Sequence, residues 1–151
     1  MKTILVPIDG SEYSKRALLK AKELADQFGS KIILLHIMSI VTTVPYYPNP
    51  RFAQSSMTLD WPGLIKEARE KAEDLLKQSK ELLNGLDVET VILDDPAGRF
   101  ANIIAEYAKE REVDLIAIGS NGMGSLKRRL YLGSVTTKLL HITNKTVMVV
   151  Q

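Results

Sequence analysis

The sequence contains no cysteine, only two histidines and almost no excess of either charge. Without cysteine, the chain has no disulfide framework, no thiolate metal site and no cysteine nucleophile. Its two isolated histidines, His36 and His141, do not supply the ligand set of a zinc site. The 20 basic and 18 acidic residues leave a net charge of +2, which gives no electrostatic basis for binding nucleic acid. We therefore expect no resident metal ion and no nucleic-acid partner.

Long apolar runs are also missing. No stretch approaches the roughly 18 consecutive apolar residues of a membrane-spanning helix. The N-terminal residues MKTILVP lack the small-residue cleavage site of a signal peptide. We therefore expect a cytoplasmic protein with no membrane partner. With 151 residues, 45% of them hydrophobic, the chain has the size and composition of one globular domain, residues 1–151.

Short apolar runs alternate with helical patterns along the chain. The continuous apolar run at residues 3–8 is typical of a strand that is buried on both faces. Four more strands are predicted at residues 31–37, 88–93, 114–119 and 146–150. Apolar residues recur at helical spacing in four stretches: residues 17–28, 64–83, 100–108 and 134–142. This alternation predicts an α/β fold with a single open, doubly wound, parallel five-stranded sheet and four helices.

Residues 38–63 interrupt the alternation. They contain four of the six prolines in the chain, together with Tyr46, Tyr47 and Trp61. Prolines at this density disfavour both a helix and a central strand. We predict a long loop insertion that packs through its aromatic residues, either as an ordered lid or as a mobile loop.

A glycine-rich segment, GSNGMGSLKRRLYLGS, follows the fourth apolar run at residues 119–134. Glycines let backbone amides approach a ligand closely, and successive amides form an anion-binding nest. Ser134 is an N-cap candidate for the next helix, and the amides at a helix start attract phosphate. Ligands of open α/β sheets bind beyond the carboxyl ends of the strands. The segment therefore predicts a phosphate site, with a solvated surface loop as the alternative.

Two familiar phosphate-binding motifs are missing from the sequence. It has no G-x-x-x-x-G-K-[ST] motif and no G-x-G-x-x-G motif after the first strand. These absences argue against a P-loop enzyme and against a dinucleotide-binding site.

The chain instead resembles the ATP-binding branch of the universal stress protein (UspA-type) family. That branch has G-x2-G-x9-G-[ST] after the fourth strand. ILVPIDGSEYSKRAL, KIILLHI, DDPAGRFANIIAEYAKEREVDLIAIGSNG and GSVTTKLLHITNKTVMVV resemble other segments of the family. Here ten residues lie between Gly122 and Gly133, and eight between Gly124 and Gly133, so we expect a one-residue bulge within 126–132. The resemblance implies a Rossmann-like sheet with strand order 3-2-1-4-5.

The resemblance also implies a nucleotide site made mostly of backbone groups. Three residues at the end of the first strand would lie beneath the adenosine, and one backbone at the end of the second strand would meet the adenine edge: Pro7, Ile8, Asp9 and Ile37. Others would follow the ribose and phosphates: Gly119, Ser120, Asn121, Gly122, Met123, Gly124, Gly133, Ser134 and Val135. Mg or Mn would be carried by the phosphates, because the chain has no carboxylate cluster for an independent metal cage.

Several of these residues have a simpler structural interpretation. Asp9 is also suited to a turn that starts the first helix, and Pro7 to a strand at the edge of the sheet. Asp94 and Asp95 precede a proline and suit a turn. We predict that His36 is a hydrogen-bonded core residue and that His141 is exposed near the end of the last helix.

The expected function is ATP binding by a regulatory stress-response protein. We expect no dedicated enzyme, although slow ATP hydrolysis is compatible with a metal-bound triphosphate. One alternative is an interaction module of the same family with a vestigial pocket. Another is a response-regulator-like switch that is phosphorylated on Asp94 or Asp95. The last apolar run, Thr146 to Val150, predicts an edge strand through which two copies form a homodimer.

Overall fold

The computed structural model describes residues 1–39, 60–123 and 132–151. Five strands and four helices lie in these ranges, as the sequence pattern predicts. In chain order they are β1 (Thr3–Pro7), α1 (Glu12–Phe28), β2 (Lys31–Ser39), α2 (Trp61–Glu81), β3 (Val88–Asp95), α3 (Phe100–Glu110), β4 (Leu115–Gly119), α4 (Ser134–Ile142) and β5 (Thr146–Val150).

The strands form one parallel sheet with the order β3-β2-β1-β4-β5. This is the predicted strand order. From β1 the chain first builds outward to β2 and β3, and then returns to place β4 and β5 on the other side. The strand order therefore reverses between β1 and β4. Sheets of this kind bind ligands in the crevice at the carboxyl ends of the two strands where the order reverses.

Both faces of the sheet are covered by helices. On one face, Val6 and Leu34 pack with Leu18 of α1 and Leu76 of α2. On the other face, a second cluster joins the sheet to α3 and α4: it includes Leu5, Ile33, Ile104 and Leu139. Because successive side chains of a strand point to opposite faces, a strand buried on both faces needs an unbroken apolar run.

The first helix begins and ends at recognisable residues. Ser11 Oγ accepts a hydrogen bond from the Ser14 amide at 3.1 Å, which satisfies one of the free amides at the start of α1. Gly29 ends the helix with a left-handed backbone, φ 64°. A glycine adopts this conformation without the steric cost that a Cβ imposes.

The structure differs from the predicted loop at both ends of residues 38–63. Met38 is buried, and both it and Ser39 belong to β2. At the other end Asp60 caps α2, which already begins at Trp61, and Pro62 lies in its first turn. A proline is tolerated there because the first amides of a helix have no partner within the helix. Residues 40–59, including Tyr46 and Tyr47, lie outside the described residues.

Candidate nucleotide-binding site

The crevice between β1 and β4 begins at Pro7. The Thr3 carbonyl accepts from the Asp114 amide at 3.1 Å, so alternate residues of β1 direct their peptide groups toward β4. Pro7 belongs to this set and has no N–H to donate. The register between the two strands ends at the pair Leu5↔Ile116. Because β1 is the central strand, the sheet-edge interpretation of Pro7 is wrong.

Asp9 connects the loop after β1 with the loop after β4. Its Oδ1 accepts from the Ser11 amide at 2.9 Å, and its Oδ2 accepts from the Met123 amide at 3.2 Å. The first contact is the turn that the structural interpretation of Asp9 predicts. The second contact joins the two loops across the crevice. A Cβ on Gly122 would lie 2.9 Å from Asp9 Oδ2, so a glycine here allows the loops to approach closely.

Gly119 is a glycine for a different reason. It is the last residue of β4 and is buried beneath the first turn of α1. A Cβ at this position would lie 2.7 Å from both the carbonyl carbon and the Cβ of Tyr13, and 2.9 Å from the Ser14 amide nitrogen. Distances this short require α1 to move. The close packing of α1 against β4 therefore requires a glycine at position 119.

Ser120 ties the end of β4 to β5 and to the start of α4. Its amide donates to the Val150 carbonyl at 2.7 Å, and its carbonyl accepts from the Gly133 amide at 2.7 Å. The amide nitrogen Nδ2 of Asn121 lies 3.3 Å from Ser120 Oγ. A Cβ on Gly133 would lie 3.2 Å from the Asn121 Cα, so these residues hold α4 close to the crevice.

The N-cap of α4 is Gly133, and the prediction that Ser134 caps this helix is wrong. Gly133 has an extended backbone, φ −62° and ψ 156°, and its carbonyl accepts from Thr137 at 2.9 Å. Gly133 itself has no side chain that could cap the helix. Ser134 is the exposed first helical residue instead. The amides of Ser134, Val135 and Thr136 therefore precede the first intrahelical donor and point out of the helix start.

The backbone of Ile37 faces the line along which β1 would continue. The Ile8 amide donates to the Leu35 carbonyl at 2.8 Å, so Leu35 directs its peptide groups toward β1. Ile37 lies two residues further and points the same way, because the orientation alternates along a strand. β1 ends at Pro7. The N–H and the C=O of Ile37 are consequently directed at the mouth of the crevice.

Both histidines are hydrogen-bonded to backbone carbonyls. The Nδ1 of half-buried His36 lies 2.7 Å from the Ile8 carbonyl oxygen. The Nδ1 of exposed His141, in the last turn of α4, lies 2.7 Å from the Thr137 carbonyl oxygen. The predicted hydrogen bond of His36 and the exposed position of His141 are confirmed, whereas His36 is half-buried and does not belong to the core.

The carboxylates at the end of β3 are engaged in structural contacts. Asp94 forms an ion pair with Arg69 of α2 at 3.4 Å. Asp95 is 1% exposed, and its Oδ1 accepts from the Ala97 amide at 3.0 Å. The turn interaction predicted for this segment is present at Asp95, although both aspartates still belong to β3. An ion-paired and a buried carboxylate do not suit the response-regulator alternative.

The polar groups that face the crevice are mainly backbone amides. Across the three described ranges, no group of three or more His, Asp or Glu side chains is arranged to hold a metal ion. Amides attract anions, so this donor set fits phosphate better than a bare cation. Gly124 and most of the predicted bulge lie outside the described residues.

Sequence reasoning overlooked Thr136. Its amide belongs to the open start of α4, and its hydroxyl donates to the Gly119 carbonyl at 2.9 Å in the interior. The motif gave no signal for it, because the motif ends at the residue after Gly133.

A separate groove of about 470 Å³ lies between α1 and α2, lined by Ser11, Lys15, Leu75 and Glu81 among others. It shares Ile8 with the crevice but opens on one face of the sheet.

None of the helices in the described part of the chain is long and apolar enough to cross a membrane.

Two solved structures with the same fold contain adenine nucleotides. A universal stress protein of Archaeoglobus fulgidus in complex with dAMP is 21% identical with a TM-score of 0.67, covering 100% of this chain and 98% of that chain. A family member from Arabidopsis thaliana with AMP bound is 17% identical with a TM-score of 0.64, covering 99% and 91%. At these identities the likeness shows the fold alone.

Closer relatives and a family model identify the family. YxiE of Bacillus subtilis is 31% identical over 157 residues, 98% of this chain and 97% of the relative. MJ0577 of Methanocaldococcus jannaschii is 30% identical over 161 residues, 99% and 94% of the two chains. Its solved structure matches with a TM-score of 0.76. The model of the universal stress protein family matches residues 1–151. The chain therefore belongs to the universal stress protein family.

Proposed function

We propose that this protein binds ATP in the crevice between β1 and β4 and acts as a nucleotide-dependent regulatory switch in the stress response. The observation that carries the proposal is the start of α4. The cap residue Gly133 offers these first amides no side-chain acceptor, and Ser120 and Asn121 hold Gly133 close to the end of β4. An adenine nucleotide joins an anionic phosphate chain to a base that has a hydrogen-bond donor and an acceptor on one edge. The crevice offers amides at the start of α4 for the phosphates and the N–H and C=O of Ile37 for the base.

The phosphate end is supported by the geometry of α4. The amides of Ser134, Val135 and Thr136 lie at the positive end of the helix dipole. We assign the terminal phosphates to these amides, and the ribose and first phosphates to the backbone from Gly119 to Gly124. A Mg²⁺ or Mn²⁺ ion would be held by the phosphates and would neutralise their charge.

The adenine end is supported by the direction of the Ile37 peptide groups. An outward N–H and C=O on one residue form a donor–acceptor pair. The Watson–Crick edge of adenine offers the complementary pair, an acceptor ring nitrogen and a donor amino group. Guanine and hypoxanthine present the reversed pair on that edge. We therefore expect this chain to prefer adenine, and the dAMP and AMP complexes of the two relatives support the same class of ligand.

The test is a titration of the purified protein with labelled ATP and Mg²⁺. We expect saturable binding by the native protein and none by Gly122→Val, whose side chain would collide with Asp9. Gly29→Asn is the matched control, because its Cβ meets open space and asparagine tolerates a left-handed backbone. Circular dichroism should show that both variants fold. A native protein that fails to bind at millimolar ATP would support the vestigial-pocket alternative.

We also propose that two copies form a homodimer through β5. This strand, Thr146–Val150, lies at one edge of the sheet, and edge strands present unpaired peptide groups. Nearby, Leu140 and Ile142 of α4 are each 42% exposed. Sedimentation at micromolar concentration should give about twice the 16.8 kDa of one chain. A monomer across that range would contradict the proposal.

We propose a regulatory rather than a dedicated catalytic role, with ATP hydrolysis at most slow. Phosphate release measured under saturating ATP tests this. Sustained turnover at the rates typical of dedicated enzymes, roughly 1 s⁻¹ or more, would contradict it. The cytoplasmic location stays a prediction, and cell fractionation tests it.

A further inference from the structure

We propose that His36 is a positioning residue for the nucleotide: its ring holds the Ile8 carbonyl and thereby leaves the Ile37 backbone open to the adenine edge. This inference rests on the proposed function. It concerns a side chain that lies next to the crevice and that the motif does not include.

The contact itself fixes the state of the ring. His36 Nδ1 lies 2.7 Å from the Ile8 carbonyl oxygen. A carbonyl oxygen only accepts hydrogen bonds, so Nδ1 must carry the proton and donate it. The imidazole is half-buried. The contact therefore requires the Nδ1–H tautomer in the neutral ring.

The His36 ring takes the place of one backbone hydrogen bond between β1 and β2. In a parallel ladder that continued beyond Pro7, the Ile8 carbonyl would accept from the Ile37 amide, just as the Ile8 amide donates to the Leu35 carbonyl at 2.8 Å. The His36 ring donates to that carbonyl instead. The last carbonyl before the turn is thus satisfied by a side chain, and the peptide groups of Ile37 are directed at the mouth of the crevice.

The same contact also sets the position of Asp9. Ile8 is held by its amide to Leu35 and by its carbonyl to His36. Asp9 follows directly and reaches across the crevice to the Met123 amide. Without the ring, the Ile8 peptide can rotate toward Ile37, which would close the adenine edge and shift the carboxylate of Asp9.

Three substitutions separate positioning from packing. His36→Asn places an amide donor at the δ position of Nδ1, whereas His36→Gln places it one atom further out, and His36→Ala removes it. We expect His36→Ala and His36→Gln to weaken ATP binding about three- to tenfold, the range for one lost hydrogen bond, and His36→Asn to restore most of it. Binding of inosine triphosphate should change less, so the preference for ATP should fall in His36→Ala.

The preference for ATP over inosine triphosphate distinguishes positioning from a general loss of stability. A substitution that only destabilises the fold lowers the urea midpoint, but it leaves the ratio of ATP to inosine triphosphate affinity as it is in the native protein. The proposal is overturned if His36→Ala keeps the native ratio of ATP to inosine triphosphate affinity, whatever its affinity for ATP alone. It is also overturned if His36→Gln restores binding as well as His36→Asn does.

A measurement without nucleotide separates this inference from the proposed function. Long-range ¹⁵N–¹H correlation of the imidazole should show a protonated Nδ1 in the free protein. An Nε2–H tautomer would overturn the inference whether or not ATP binds. If the native protein binds no ATP, the proposed function fails and the adenine-positioning role of His36 fails with it, while an Nδ1–H tautomer would still support the contact with Ile8.

Discussion

Replacing Gly119 by alanine should destabilise the fold, because α1 packs directly on this position. The new Cβ would lie 2.7 Å from two atoms of Tyr13 and 2.9 Å from the Ser14 amide. Two of these three atoms belong to the backbone, so no rotamer change relieves the contacts and the helix must shift. Overpacking of this kind costs about 1–3 kcal/mol. For a chain of this size that lowers the melting temperature by roughly 3–10 °C.

Gly122→Ala is the matched comparison within the same motif. Its Cβ would meet only a side-chain atom, Asp9 Oδ2 at 2.9 Å. The carboxylate can rotate away, so the urea midpoint should stay close to that of the native protein. ATP affinity should fall, because Asp9 then loses its contact with Met123.

Urea unfolding followed by circular dichroism gives the midpoint and slope for each variant. A lower midpoint at an unchanged slope in Gly119→Ala would confirm a loss of stability. A Gly119→Ala protein that unfolds with the native midpoint would refute the packing role of this glycine. Equal losses of stability in both variants would refute the distinction between the two glycines.

Three further predictions concern the start of α4, the ion pair between Lys31 and Glu89, and the edge strand β5. Ser134→Glu should abolish ATP binding, because the new carboxylate repels phosphate. It should leave the stability unchanged or slightly higher, because an acidic side chain is favourable at a helix N-terminus. ATP titration and thermal melting of the same sample test both outcomes. The pKa of Glu89 is lowered, chiefly by its hydrogen bond to Lys31, so its contribution to stability is present above the unfolded-state pKa and disappears as the pH falls through the folded-state pKa. The urea midpoints of the native protein and Glu89→Gln should therefore converge in acid, and a constant difference would contradict this. The Val150 carbonyl points to β4, and orientation alternates along a strand, so the Val149 N–H points to the free edge of the sheet. Val149→Pro removes this N–H and should give a monomer in sedimentation. Val149→Ala keeps the N–H and should remain a dimer.

The fold follows from the sequence because buried parallel strands need continuous apolar runs. The ends of the strands were less predictable. Ser39 and Asp95 are polar, yet they pair with one another in the last register position of β2 and β3. Pairing between backbones does not depend on side-chain polarity, so a hydrophobic pattern ends such strands too early. The pattern places Pro62 in a loop because it does not distinguish the first turn of a helix from its interior.

The position of the candidate site was predictable, but the role of individual glycines was not. The motif marks Gly119 and Gly122 alike. Only the crossing of α1 over β4, which no local pattern encodes, shows that one packs under Tyr13 and the other against Asp9. The sequence pattern places the cap of α4 one residue too late, because serine is in general the stronger capping residue. Here Gly133 occupies the cap position next to the Cα of Asn121.

The most direct test of binding in the crevice is a map of backbone amide shifts in the ¹⁵N-labelled protein during titration with ATP and Mg²⁺. We predict that the largest shifts fall on Asp9, Ile37, Met123 and the first residues of α4. Shifts confined to the groove between α1 and α2, or an unchanged spectrum at millimolar ATP, would contradict binding between β1 and β4.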